Sequence, residues 1–148
     1  MNVADERQYC TFFLNGYYFG IDVVRVQEVI PYQEMTRVPL APSVVRGLIN
    51  LRGQIVTAID LRRRLGLPDR PASQLPMNVV VSTDDGAVSL LVDEIGDVLT
   101  VSEAEFEQPP ETLRGKIRET IRGAYKLEQR LLLVLAMDEL MGDLAPRD

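Results

Sequence analysis

Runs of strand-forming residues separated by short polar turns recur along the chain. Tyr9–Leu14 and Tyr17–Ile21 flank Asn15-Gly16, a dipeptide that readily adopts positive φ, and this arrangement predicts a β-hairpin. Three later segments have the same form: Leu48–Leu51 and Ile55–Ile59 around Arg52-Gly53-Gln54, Met77–Ser82 and Ala87–Val92 around Asp84-Asp85-Gly86, and Ile121–Leu127 and Leu131–Leu135 around Glu128-Gln129-Arg130. Val98–Val101 is predicted as a further short strand.

Helical patterns between these hairpins are short. Asp22 is predicted to cap a helix in which Val23, Val26 and Ile30 share a face and after which Pro31 stops the backbone ladder. Two further single helical turns are predicted, from Ser43 to Arg46 and from Asp138 to Gly142. A third begins after Asp60, with Leu61 and Leu65 on one face, and ends at Gly66. A fourth begins after Ser102, which can form a capping box with Glu105. Residues 113–120 fit neither a strand nor a helix clearly.

The spacing of these elements limits the fold class. About eight to ten strands with turn signals roughly every ten residues are typical of all-β sandwiches and small barrels. The helical segments are too short to be the crossover helices of βαβ units. Pro68–Pro76, which contains three prolines in nine residues, is the only linker-like stretch. The pattern therefore predicts an all-β protein and leaves open whether its strands form a sandwich or barrels.

Composition excludes much of the chemistry that small enzymes use. The 148 residues are enough for one domain with a sizeable core, but they include no histidine and a single cysteine. Imidazole bases, zinc sites built from cysteine and histidine, and an intrachain disulfide are thereby excluded. The sequence also has no glycine-rich phosphate loop, no nucleophile elbow and no calcium-binding loop. We therefore expect no catalytic residues and no metal ligands.

Charge is unevenly divided along the chain. The net charge is −6 and the pI is about 4.7, which argues against a protein that binds nucleic-acid phosphates. Residues 1–75 carry nine basic and seven acidic residues, whereas residues 76–148 carry seven and fifteen. Residues 1–8 lack the apolar segment of a signal peptide, and no apolar run reaches the length of a membrane span. We therefore expect a cytosolic protein, which fits one unpaired thiol.

Two charged clusters are candidate sites. Asp93, Glu94 and Asp97 follow a strand and could in principle perform acid–base chemistry or bind a hard cation, but calcium ligands at alternate positions are missing, so a solvated turn is expected. Arg62–Arg64 resembles a phosphate-binding patch. However, consecutive helical residues point about 100° apart, so a solvated helix face is expected instead.

Apolar positions near the N-terminus are expected to be structural. Cys10 lies on the same strand face as Phe12 and Leu14, so it is predicted to be a small buried residue and not a reactive thiol. Core positions are likewise expected at Val23, Val26, Val29 and Ile30.

Arg52 is not explained by its turn. Asn50 and Gly53 fit the turn geometry, whereas an arginine between Leu51 and a glycine is not required by it. A guanidinium at a turn is displayed to solvent and can bind a partner carboxylate through two parallel hydrogen bonds. Spacing alone leaves two interpretations open, a partner contact and an ordinary exposed turn residue.

Several segments form a recognisable ordered pattern: Phe19–Ile30, Gly47–Val56 and Ile59–Arg62, with looser matches over Leu90–Leu99, Ile121–Gly123 and Leu131–Leu135. By these motifs the chain strongly resembles the CheW family of chemotaxis coupling proteins. The resemblance extends from Tyr9 to Leu144 and its motifs occur in the same order as in the family.

This resemblance implies a non-enzymatic adaptor without a cofactor. The implied fold is two small SH3-like five-stranded β-barrels packed together, with short helices and a short C-terminal helix. Residues 9–144 would form a single CheW-like domain of two barrel lobes, between a flexible N-terminus (1–8) and a C-terminal tail (145–148). The lobe boundary is not fixed by the sequence, and the lobes can share strands.

The implied partners are the cytoplasmic tip of chemoreceptors and the regulatory domain of the histidine kinase CheA. The resemblance implies no nucleic acid, no small-molecule substrate and no direct membrane insertion; the protein would be cytoplasmic and recruited to receptor arrays at the inner membrane. Receptor binding would fall in the groove between the barrels, at positions matched here by Val26, Glu28, Gly47, Asn50 and Arg52. Kinase-binding residues are expected at barrel edges and are not assigned.

Pro31 departs from the commonest family pattern and affects the expected path of residues 32–36.

Three alternatives remain beside the chemotaxis adaptor. A paralogous adaptor in a non-flagellar receptor–kinase array, such as one that governs pilus-driven surface motility, differs only in its partners. A nucleic-acid-binding barrel would need a basic groove with stacking aromatic residues. A carboxylate-dependent hydrolase would need a deep pocket with two acids about 5 to 9 Å apart.

Overall fold

Ten strands and three short helices make up the part of the chain that the computed structural model describes, residues 5–142. The strands are β1 (Glu6–Leu14), β2 (Tyr17–Asp22), β3 (Val26–Ile30), β4 (Val45–Leu51), β5 (Gln54–Asp60), β6 (Met77–Thr83), β7 (Gly86–Val92), β8 (Glu94–Ser102), β9 (Ile121–Lys126) and β10 (Leu131–Leu135), and the helices are α1 (Leu61–Arg64), α2 (Gly115–Thr120) and α3 (Met137–Gly142). No helix among these residues has the length and apolar character needed to cross a membrane. The predicted tail, 145–148, lies outside the described residues, as does the first half of the predicted flexible N-terminus.

The strands form two five-stranded sheets with the same topology. Lobe A has the order β8-β1-β2-β10-β9, and lobe B has the order β3-β6-β7-β5-β4. All neighbouring strands are antiparallel except β2 with β10 in lobe A and β5 with β7 in lobe B, which are parallel. This two-sheet, SH3-like arrangement confirms the predicted all-β fold class.

Each lobe takes strands from both halves of the chain. The first half, β1–β5, and the second half, β6–β10, each contain a hairpin, a single strand and a second hairpin. The leading hairpin of each half joins the sheet formed by the other half, so β1 and β2 belong to lobe A while β3 to β5 belong to lobe B. The two halves of the chain thus have the same order of strands, which is an internal duplication. A short sequence repeat accompanies it, because Arg46-Gly47 in β4 recurs as Arg122-Gly123 in β9.

Both sheets curl so that their opposite edges meet. In lobe B, Thr36 follows the edge strand β3 and forms an antiparallel bridge with Leu48 of the other edge strand, through two backbone hydrogen bonds of 2.8 Å. In lobe A, Glu107 follows β8 and pairs in the same way with Ala124 of β9, through two bonds of 2.9 Å. These bridges leave few free strand edges, which limits unwanted strand pairing.

Most core strands are buried on both faces. In β10, Leu132 and Val134 pack inside lobe A against Tyr9 and Tyr125. The alternate residues of that strand belong to a large cluster shared by the two sheets, whose buried members include Phe12, Leu14, Phe19, Ile21, Ile59, Val79, Val81, Leu90, Val92, Leu133 and Leu135. Side chains of successive strand residues point to opposite faces, so the continuous apolar run of β10 reflects two separate cores. Because one core joins both sheets, the lobes form one packed body.

The predicted helix after Asp22 is wrong for most of its length. Asp22 accepts a hydrogen bond from the Val24 amide at 3.2 Å, but only Val23–Arg25 form a 3₁₀ turn. Val26–Ile30 form the edge strand β3 against β6. Three β-branched residues in five favour a strand, and the pairing with β6 decides the outcome.

The core positions expected around β3 are only partly confirmed. Val26 is half-buried and packs against the shared core, and Val23 and Ile30 are half-buried, but Val29 is 39% exposed.

Other boundaries differ from the predictions because long-range pairing extends the strands. The strand β4 begins at Val45, where a helical turn from Ser43 to Arg46 was predicted. The strand β1 begins at Glu6, inside the stretch predicted to be flexible, and β8 covers Glu94–Ser102. Residues 115–120, which the sequence left undecided between strand and helix, form α2. Two predicted caps are wrong: Ser102 makes no side-chain cap bond before the 3₁₀ turn Glu103–Glu105, and Asp138 lies inside α3, which begins at Met137. The Asp60 cap of α1 is confirmed by a hydrogen bond from the Arg63 amide.

Candidate functional site

The residues matched to receptor binding lie on opposite edges of the lobe B sheet. Val26 and Glu28 belong to β3, whereas Gly47 and Asn50 belong to β4, and Arg52 lies in the turn after β4. These strands are the first and last of the sheet order, so only the curl of the sheet can bring them together. It does so at Arg52 and Glu28, whose side chains are hydrogen-bonded at 2.6 Å.

Arg52 occupies an unfavourable backbone position. Its φ is +52° and that of Gly53 is +88°, which defines a two-residue hairpin turn with both central residues in the left-handed region. Asparagine, aspartate and glycine are favoured there, and Asn15-Gly16 fills the corresponding turn between β1 and β2. An arginine that is 76% exposed at such a position contributes nothing to the core. Its presence therefore favours the partner-contact interpretation over an ordinary turn.

Glu28 holds the Arg52 guanidinium in a defined place. Nη2 of Arg52 donates to both carboxylate oxygens of Glu28, whose side chain is only 26% exposed. The hydrogen bond to Glu28 and its negative charge raise the pKa of Arg52 above its ordinary value. Within residues 5–142, Nε and Nη1 of Arg52 make no hydrogen bond. The pair thus fixes one side of the guanidinium and turns the other toward solvent.

A shallow cavity of about 340 Å³ surrounds this ion pair. It is lined by Gln27, Glu28, Leu51, Arg52, Gln54, Val56 and Val80. Charged and amide groups make up most of its exposed lining, and Leu51, Val56 and Val80 contribute the apolar part.

The other matched positions carry no charge, and their observed contacts lie within the fold. The Oδ1 atom of Asn50 accepts a hydrogen bond from the Gly53 amide at 2.9 Å, which stabilises the turn. Gly47 is buried, and a Cβ atom there would lie 2.6 Å from the Thr36 carbonyl oxygen. Val26 is half-buried and packs against the shared core. The structure thus places Gly47 beneath the segment after β3 and not at an open contact surface.

Sequence reasoning missed two exposed apolar residues along the β3 edge of lobe B. Val29 on β3 is 39% exposed, and Tyr32, just beyond Pro31, is 36% exposed. Both follow Glu28 on the edge of lobe B. An apolar residue on the outer face of an edge strand is the signal that could have identified Val29, had β3 been recognised as a strand.

The predicted solvated turn at Asp93 is wrong, because Asp93 is the centre of a buried ion cluster. Its carboxylate accepts hydrogen bonds from Nη2 of Arg62 at 2.6 Å, from Nε of Arg62 and of Arg70 at 3.0 Å each, and from the Asn15 amide at 2.8 Å. The three charged side chains are each less than 10% exposed. Two arginines thus neutralise this carboxylate, so it is not an acid–base group. Glu94 and Asp97 lie on β8, away from this cluster's hydrogen bonds.

The solvated face predicted for Arg62–Arg64 is wrong for two of the three residues. Arg62 is buried in the Asp93 cluster, and Arg64 is buried with Nε donating to the Leu140 carbonyl of α3 at 2.7 Å. Arg63 alone is partly solvated, paired with Asp69 at 3.1 Å. These arginines connect α1 to other parts of the fold and are not available as an anion-binding patch.

Cys10 was predicted to be buried, and the structure shows that it is only half-buried. Burial raises the pKa of its thiol, with a smaller contribution from the charge of Asp22. A raised pKa lowers the fraction of thiolate and therefore the reactivity of the sulfur.

Stability should depend on pH through Asp93. Burial alone would raise the pKa of Asp93, but the hydrogen bonds from Arg62, from the Asn15 amide and from Arg70 outweigh burial and hold its pKa below the usual range. The unfolded carboxyl binds its proton near a pH of about 3.9, so the stabilisation is present above that pH and is lost as the pH falls through the lower, folded pKa. We expect the free energy of unfolding to fall below about pH 4. Urea unfolding at a series of pH values measures this, and an Asp93→Asn variant with an equally steep acid dependence would contradict it.

Comparison with known proteins agrees with the geometry. The CheW-like domain model matches residues 8–145. The chain is 36% identical over 124 residues to the chemotaxis protein CheW of Bacillus subtilis (strain 168), covering 84% of this chain and 80% of that protein. It is 31% identical over 147 residues to the chemotaxis protein CheW of Treponema pallidum (strain Nichols), covering 96% and 86%.

The fold also matches a solved structure. The crystal structure of the scaffolding protein TtCheW from Thermoanaerobacter tengcongensis superposes with a TM-score of 0.82 at 27% identity, covering 91% of this chain and 92% of that one. The domain match over residues 8–145, together with these relatives, shows that the chain belongs to the CheW-like family.

Proposed function

We propose that this protein is a non-enzymatic adaptor that couples chemoreceptors to the histidine kinase CheA in bacterial chemotaxis. It acts in the cytoplasm and is recruited to receptor arrays at the inner membrane. The observation that carries the proposal is Arg52, which is exposed in a left-handed turn position and is held by Glu28. The relatives named above as chemotaxis proteins favour this assignment over an adaptor for pilus-driven motility.

The edge of lobe B suits a receptor tip. Val29 and Tyr32 supply exposed apolar area, while Arg52 supplies a charged group whose Nε and Nη1 atoms make no hydrogen bond within residues 5–142. Apolar burial provides most of the affinity of such an interface, and the charge fixes orientation and register. The receptor segment opposite Arg52 is therefore expected to carry a carboxylate.

A coupling protein needs a second surface for the kinase. Lobe A has an open cavity of about 660 Å³ lined by Gly16, Tyr17, Tyr18, Thr112, Leu113, Gln129, Arg130, Leu131 and Leu133. Tyr17 and Leu131 are each more than one-third exposed, and Arg130 stacks over the rings of Phe13 and Tyr18 at 5.2 and 5.1 Å. Because this surface belongs to the other lobe, it supports the idea that two proteins bind at once.

Coupling of this kind is a difference in binding free energy. The adaptor changes kinase output only if it binds one arrangement of receptor and kinase more tightly than another. A rigid body with one shared core transmits such a preference, because the relative positions of its two surfaces are fixed.

Replacing Arg52 with alanine should weaken receptor binding without unfolding the chain. The side chain contributes nothing to the core, and alanine at an exposed turn changes stability little. We expect the Kd for a chemoreceptor cytoplasmic fragment to rise about tenfold or more, because the side chain that fixes orientation is lost. Isothermal titration of the fragment into each purified variant measures this effect.

Arg63→Ala is the matched control, since Arg63 is also a partly exposed arginine paired with an acid in lobe B. It should leave receptor affinity unchanged, and neither variant should change affinity for the CheA regulatory domain. Equal receptor affinity in the parent and in Arg52→Ala would remove Arg52 from the site.

A further inference from the structure

Two buried polar side chains lie beneath the edge strand of lobe B. Asn78 on β6 and Ser89 on β7 are both completely buried, in strands otherwise made largely of valine and leucine. Oγ of Ser89 donates to Oδ1 of Asn78 at 2.7 Å, and Nδ2 of Asn78 donates to the Pro31 carbonyl at 3.1 Å. A buried polar pair in a small apolar core needs a reason, because apolar side chains of similar size would be about as stable there.

The Pro31 carbonyl is the point where β3 stops pairing. The strand pairs with β6 as far as Ile30, which lies opposite Asn78. Beyond that residue the backbone of β6 no longer supplies a donor, and the side chain of Asn78 takes its place. Ser89 fixes the orientation of that amide, since its hydroxyl donates to the amide oxygen and thereby leaves the NH₂ group to face Pro31. Gln33 adds a longer, exposed bond to the same carbonyl at 3.3 Å.

The segment after β3 is therefore held at both ends. Asn78 fixes Pro31, and the two backbone bonds to Leu48 fix Thr36. Tyr32 lies between these points, whereas Val29 is held by its own pairing with Val79 of β6. The position of the exposed Tyr32 side chain therefore depends on Asn78.

We propose that Asn78 and Ser89 are positioning residues for the receptor-binding edge, an inference that rests on the function proposed above. They contact no partner themselves. They set the path of residues 29–36, so that Tyr32 is preorganised on the edge of lobe B that also carries the Glu28–Arg52 pair. Preorganisation lowers the ordering cost of binding, so its loss weakens affinity without removing any contacting group.

The double variant Asn78→Leu with Ser89→Ala tests this proposal. It removes both polar partners together, so it leaves the core apolar and its urea midpoint should stay close to that of the parent. We expect amide exchange over residues 29–36 to become about tenfold faster, and the Kd for a chemoreceptor cytoplasmic fragment to rise about tenfold. The Kd for the CheA regulatory domain should not change. Ser89→Ala alone should move exchange and receptor affinity in the same direction by less, and it serves if the double variant fails to fold.

Thr120→Val is the matched control, because Thr120 is also buried and its hydroxyl donates to the Lys116 carbonyl at 2.8 Å, in the helix α2. It should leave exchange at residues 29–36 and both affinities unchanged. Unchanged exchange at residues 29–36 in the double variant, unchanged receptor affinity despite faster exchange, or equal losses of receptor and kinase affinity would each overturn the positioning role. Failure of the parent chain itself to bind the receptor fragment would instead contradict the proposed function.

Discussion

Replacing Asp93 with asparagine is expected to destabilise the protein by about 3 to 5 kcal/mol, because it leaves the buried Arg62 and Arg70 side chains without their counter-charge. Both guanidinium groups lie within a cluster that also holds the Asn15 amide of the β1–β2 turn. The cluster therefore joins lobe A to α1 and to the proline-rich segment that follows it. For a chain of this size the loss corresponds to a fall in Tm of roughly 10 to 16 °C. Urea unfolding at pH 7, with the thermal midpoint as a second measurement, tests the prediction.

Asp69→Asn provides the control for that loss. Asp69 also pairs with an arginine of α1, Arg63, but its side chain is 65% exposed. Exposed ion pairs contribute little because water screens them. A comparable loss in both variants would show that burial of the Asp93 cluster is not what matters.

Replacing Gly123 with alanine should have the second-largest effect, a loss of about 3 kcal/mol. A Cβ atom at this position would collide with the Glu107 carbonyl oxygen and with the ring of Phe106. That carbonyl belongs to the bridge that joins the edges of lobe A, and Phe106 packs edge-on against Tyr125 at 5.3 Å. The added methyl group must therefore displace both the bridge and the aromatic cluster. Urea unfolding measures the loss, and near-ultraviolet circular dichroism reports the displaced tyrosine.

Gly142→Ala is the control for Gly123→Ala, because no atom of residues 5–142 lies within 4 Å of a Cβ atom placed there. Its stability should stay within about 0.5 kcal/mol of the parent. A stable Gly123→Ala variant with an unchanged aromatic signal would contradict the close approach of residues 106 and 107 to β9.

Local signals identified the hairpins because their turns are encoded by adjacent residues. Asn15-Gly16 is favoured for the left-handed region in which the structure places it, and Asp60 caps α1 as predicted. The family motifs indicated the two-lobe fold, which the sheet order confirms. These features depend on neighbours in sequence or on motif order, both of which a single chain displays.

The errors concern features that depend on distant residues. Val26–Ile30 has a helical spacing of apolar residues, yet pairing with β6 makes it a strand. Asp93 resembles a loop carboxylate until the fold brings Arg62 and Arg70 against it, although an acid directly after an apolar strand and several arginines upstream were available as a signal. In both cases tertiary contacts overrode a local pattern.

The internal duplication was also missed, although Arg46-Gly47 and Arg122-Gly123 are visible in the sequence. In each lobe this glycine lies on an edge strand, where the carbonyl of the bridging segment approaches it closely. The first hairpin of each half joins the sheet of the other half. Consecutive strands usually belong to the same sheet, so the repeat is difficult to recognise from the order of strands along the chain. The meeting of Glu28 with Arg52 follows from the same topology and could not be predicted from spacing.

The most direct test of the adaptor role is sedimentation velocity of the purified chain mixed with a chemoreceptor cytoplasmic fragment and the CheA regulatory domain. The two proposed surfaces lie on different lobes, so a single complex containing all three proteins is expected, and Arg52→Ala should release the receptor fragment while the kinase domain remains bound. Competition between the two partners for the chain, or no binding of either, would contradict the account.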